Sequence, residues 1–83
     1  MKVNRNFVPS KNSRYWVKVR QIARWLHSDG CTGVPDFYLD CCLEHDIHYR
    51  TRKTLGGTPV SRNWADTRLR RCIQNRSIFG LFS

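Results

Sequence analysis

The sequence predicts an all-α fold. Three segments, 14–27, 36–52 and 61–75, carry apolar residues at three- and four-residue spacing. Two stretches bearing Gly and Pro separate them, 29–36 and 54–60. Four cysteines supply staples for a chain of 83 residues, which by itself buries only a modest core. That length is one domain, read here as residues 1–83.

Residues 1–12 read as an irregular basic arm. Ser13 is placed to cap the first helix, on which Tyr15, Val19, Ile22 and Leu26 recur along one face while Lys18, Arg20 and Arg24 are basic. Trp16 and Trp25 widen the apolar face. Such a pattern describes an ordinary core-facing helix, and equally one that touches lipid, because Trp beside Lys and Arg favours membrane interfaces.

Asp29 to Asp36 is a loop by composition, with Gly30 and Gly33 allowing tight turns that point carbonyls inward. Pro35 stiffens the entry to the second helix. There Leu39, Leu43 and Ile47 form one row, and Cys41, His45 and Tyr49 form another, so Tyr49 lies one turn beyond His45. The stretch Asp40-Cys41-Cys42-Leu43-Glu44-His45-Asp46 concentrates chemistry: a base that titrates near neutrality, a hard oxygen donor and two cross-linking positions. Ser61 caps the third helix, whose narrow stripe is Ala65, Leu69, Cys72 and Ile73, with Asp66 at its edge. The apolar tail 77–83 has no assigned element.

Charge is distributed unevenly. Residues 1–28 hold seven Lys or Arg and no acid, residues 29–66 hold four against six acids, and residues 67–83 hold four Arg and no acid. Basic ends suit an anionic membrane or nucleic acid, and the acidic middle suits a cation. Four cysteines point to an oxidising compartment, although Met1 to Ser10 lacks the apolar region of a signal peptide. No apolar run approaches the ~18 residues of a membrane span.

Cys41-Cys42-Leu43-Glu44-His45-Asp46, with Tyr49 four residues after the histidine and Asp66 six residues before Cys72, resembles the active-site signature of secreted phospholipase A2. The resemblance spans about residues 29–72 and is nearest to the compact bacterial, fungal and viral branches. It departs in four places. One residue is missing before the cysteine pair, and the usual Cys-Gly-x-Gly loop reads Cys31-Thr32-Gly33-Val34. His48 and Ala65 together replace two cysteines that the family bridges, and the β-wing shrinks to the Gly56-Gly57 turn.

The resemblance implies two long antiparallel helices, disulfide-linked and carrying the His/Asp site, preceded by an amphipathic helix and a Gly-rich calcium loop. It implies calcium-dependent hydrolysis of the sn-2 ester of glycerophospholipids outside the cell, at a membrane surface and without nucleic acid. His45 would be the general base, Asp66 would orient it, and Tyr49 would fix Asp66. Asp46 and the carbonyls of Gly30, Thr32 and Val34 would hold Ca²⁺. The family pairing would be Cys41–Cys72 and Cys31–Cys42. Two other classes compete. One is a zinc-stabilised basic module binding nucleic acid, with Cys42, His45, His48 and Cys31 or Cys72 as ligands. The other is an inactive, membrane-binding relative of the lipases.

Overall fold

Ser13 starts the first helix by local chemistry: in extended conformation, its side chain accepts a hydrogen bond from the Tyr15 N–H at 3.2 Å. The structure, a computed structural model, describes residues 4–28 and 36–76. Within them lie three helices, α1 (Arg14–Trp25), α2 (Asp36–Thr51) and α3 (Arg62–Arg76). The fold is all-helical among the described residues, apart from one isolated bridge between Lys53 and Pro59. Helices α1 and α2 end where the chain turns into the left-handed region, His27 and Arg52 both having φ near 57°. The predicted calcium loop and the tail 77–83 lie outside the described residues.

Helix α2 packs against both of the others. Its contacts with α3 run in opposite chain order: Cys41 bonds Cys72, Glu44 meets Arg68, and His48 meets Trp64. The Cys41–Cys72 disulfide spans a sequence separation of 31, a closure expected to stabilise by ~3–4 kcal/mol. Cys42 is also disulfide-bonded, and its expected partner, Cys31, lies outside the described residues. Around these staples Tyr15, Trp16, Val19, Ala23, Leu43 and Ile47 form the core.

Helix α1 departs from expectation at Trp16. That ring is fully buried beside Tyr15, its Nε1–H donates to the Pro9 carbonyl at 3.1 Å, and the Arg76 guanidinium lies 4.8 Å above it. Trp16 is therefore a core residue and not a lipid contact. The residues buried on α1 are Tyr15, Trp16, Val19 and Ala23, whereas Trp25 stands 79 % exposed. An aromatic pair nine positions apart cannot stay on one face, since nine residues advance the helix by two and a half turns.

The connection from α2 to α3 is organised by Thr54. Its hydroxyl accepts from the N–H groups of Gly56 and Thr58, both at 3.2 Å, and its own N–H donates to the Thr58 carbonyl. Gly57 takes φ +87°, a conformation only glycine adopts without strain. The turn delivers Ser61, whose Oγ accepts from the Trp64 N–H at 3.1 Å and caps α3.

Candidate active site

His45 and Tyr49 lie one turn apart on α2, which stacks their rings at 4.5 Å between centroids. The disulfide holds α3 alongside, and Asp66 closes the group. His45 Nε2 lies 2.9 Å from Asp66 Oδ1, and the Tyr49 hydroxyl donates to Asp66 Oδ1 at 3.1 Å and Oδ2 at 3.4 Å. A carboxylate only accepts, so Nε2 carries the proton and Nδ1 is left as the lone-pair nitrogen. Among the described residues nothing hydrogen-bonds Nδ1. The His45 side chain is 22 % exposed and Asp66 49 %, so the pair meets solvent.

The electrostatics agree with this geometry. The hydrogen bond from His45 holds the Asp66 carboxyl below its ordinary range, with Tyr49 adding to the effect. The same contact, seen from the phenol, pushes Tyr49 upward, because its proton is held against Asp66. The arrangement can keep one imidazole tautomer in place and stabilise the imidazolium if Nδ1 takes a proton.

Asp46 points to a different neighbourhood. Its Oδ2 lies 3.1 Å from Arg50 Nε, one turn on, in an ion pair whose carboxylate side chain is 31 % exposed. A half-exposed carboxylate is the donor type that calcium takes, and the Arg50 contact engages one of its two oxygens. Gly30, Thr32 and Val34, the other expected ligands, lie outside the described residues. Among the described residues no three His, Cys, Asp or Glu side chains cluster as a metal site.

One feature was not anticipated from the sequence. Glu44, inside the signature segment, is 0 % exposed and forms a two-pronged ion pair with Arg68: Nε to Oε1 at 2.9 Å and Nη2 to Oε2 at 3.2 Å. The Tyr15 hydroxyl donates to Glu44 Oε2, and Arg68 Nη1 donates to the carbonyls of Asn4, at 2.5 Å, and Phe7. Burial, and then the Glu44 charge, raise the Tyr15 phenol far above its ordinary value. This network ties the basic arm, α1, α2 and α3 together directly beneath the signature segment. A signal for it existed: Ala65, Arg68 and Cys72 are spaced by three and four, which puts an arginine in the buried row of α3.

Comparison with protein-family profiles, characterised proteins and solved structures returned no match.

Proposed function

We propose that this chain is a calcium-dependent phospholipase A2 that hydrolyses the sn-2 ester of glycerophospholipids. What carries the reading is the convergence of His45, Asp66 and Tyr49, with a 2.9 Å contact between the first two, from residues 21 positions apart. The signature resemblance expects two long antiparallel helices linked through the first of the tandem cysteines, and the Cys41–Cys72 pairing agrees with it. In this mechanism a water donates its proton to His45 Nδ1 as its oxygen attacks the ester carbonyl. Asp66 keeps Nε2–H in place and stabilises the positive ring, while Tyr49 holds the carboxylate. When the tetrahedral adduct collapses, the C–O bond to the glycerol oxygen breaks and Nδ1 returns the proton to that oxygen. A fatty acid and a lysophospholipid result.

Asp46 and the carbonyls of Gly30, Thr32 and Val34 would hold calcium. When bound, it would supply Lewis-acid polarisation of the carbonyl and a contact for the phosphate. Disulfides agree with an extracellular site of action. A zinc module has lost its thiolates, because Cys42 and Cys72 are both committed to disulfides. The testing experiment is fatty-acid release from phospholipid vesicles by the parent and by His45→Gln. Release by the parent alone supports the reading, equal release by both contradicts it, and vesicle binding without release by either indicates an inactive membrane-binding protein.

A further inference from the structure

A cavity of about 280 Å³ lies where α2 ends and α3 begins, lined by His48, Tyr49, Arg52, Val60, Ser61 and Arg62. It shares Tyr49 with the His45–Asp66 pair but is lined by neither of those two residues. No carboxylate lines it. Arg20, Arg50 and Arg68 each pair with an acid, whereas Arg52 and Arg62 have no acidic partner among the described residues. Two uncompensated guanidinium groups therefore border one concavity.

The backbone adds to the same sign. Arg62 and Asn63 open a helix of 15 residues, where main-chain N–H groups have no carbonyl one turn back and the helix dipole is positive. The Ser61 oxygen is already accepting from Trp64, so its hydroxyl proton is free to donate. Asp66, which bonds the lining residue Tyr49, has its charge countered by donors from both His45 and Tyr49.

His48 supplies the independent observation. It is 1 % exposed, yet among the described residues neither ring nitrogen has a hydrogen-bond partner; its ring meets Trp64 edge-on at 5.1 Å. Buried polar side chains are rarely left unpaired. An imidazole without a partner among the described residues, lining a cavity bordered by two arginines, is a donor awaiting an acceptor. Charged or neutral, an imidazole keeps at least one N–H to give.

We propose that this cavity binds a phosphate-type oxyanion through Arg52, Arg62, Ser61 and the first N–H groups of α3, with His48 as its innermost donor. Donors from several directions suit a tetrahedral group with three or more acceptor oxygens better than a planar carboxylate. The volume admits a phosphate or a small phosphomonoester. The proposal does not depend on ester hydrolysis.

The test is NMR titration of the oxidised, full-length chain at constant ionic strength, with sodium phosphate or glycerol 3-phosphate replacing sodium chloride. Saturable shifts in the His48 ring and Trp64 resonances are expected. The variant Arg52→Gln/Arg62→Gln changes two exposed side chains, and circular dichroism checks that it stays folded. It should bind at least ~10-fold more weakly. Saturation by inorganic phosphate identifies a free-ion site, and saturation by glycerol 3-phosphate alone identifies a lipid-headgroup site; both support the proposal. No saturable shift with either anion, or equal affinity in the double variant, overturns it. His45→Gln should bind phosphate as the parent does, so absence of hydrolysis leaves this result unaffected.

Discussion

In the proposed mechanism His45 has two nitrogens with separate tasks, and the separation makes its substitution informative. Replacing it with Gln removes the base but leaves a side chain that can still donate to Asp66. Turnover should fall by ~10²–10⁴-fold or more while vesicle binding stays near that of the parent, measured by initial rates and co-sedimentation. Asp66→Asn should cost less, because in that mechanism Asp66 orients the ring and does not carry the transferred proton. His48, three residues on, gives a different signature. Burial lowers its pKa from the ordinary 6.5, against Glu44 and with Arg68 and His45. The unfolded chain therefore takes up that proton first, and the stability held by the neutral ring is complete above 6.5 and lost as pH falls below it. Asp66, lowered from 3.8, adds its own loss only at the acid end. Urea midpoints should decline as pH falls below about 6.5 in the parent, and His48→Leu should flatten that slope. An unchanged slope would show that His48 is not the group responsible.

Helices α2 and α3 are joined twice, by a covalent bond and by a buried charge pair. Arg68→Met would leave Glu44 charged, fully buried and short of its strongest partner, a loss of ~3–5 kcal/mol by chemical denaturation. Adding Glu44→Gln to that variant should restore much of the loss, since the uncompensated charge is what costs. Removing the Cys41–Cys72 bond should cost ~3–4 kcal/mol and also lower activity, because it sets His45 opposite Asp66. The three helices were readable in the sequence from spacing and from the caps Ser13 and Ser61, and observed ends fall within about two residues of expectation. The approach of Asp66 to His45 and Tyr49 was readable only through the signature. Glu44 and Arg68 were missed because charged residues are assigned to solvent unless their partner, 24 positions away, is known. Trp16 stayed open between core and membrane for the opposite reason: its apolar character fits both, and only packing decides between them.

Taken as one object, the chain is strongly basic, with 15 Lys and Arg against six acids, all six of them between residues 29 and 66. Trp25 is exposed at the end of α1, and Arg20 and Arg24 border a shallow depression with Val17 and Gln21. Among the described residues no helix is long and apolar enough to cross a membrane. Docking at an anionic lipid surface is expected to rise with anionic lipid and weaken with salt, each basic residue near the surface contributing ~1 kcal/mol. Trp25→Ala should lower turnover on vesicles more than on a monomeric short-chain ester. Trp16→Ala should instead unfold the core, so only Trp25 reports on docking. Tight DNA binding in salt that abolishes vesicle binding would contradict this use of the surface.

Calcium-dependent release of the sn-2 acyl chain would join the proposed base, its carboxylate partner and the proposed Asp46 donor in one observable. Vesicles carrying a label only in the sn-2 chain, incubated with the oxidised protein, should release labelled fatty acid in the presence of calcium. Release should stop on addition of a chelator, resume when calcium is restored, and be lost in His45→Gln. Release that persists in chelator, or that His45→Gln supports at the parent's rate, would contradict the account.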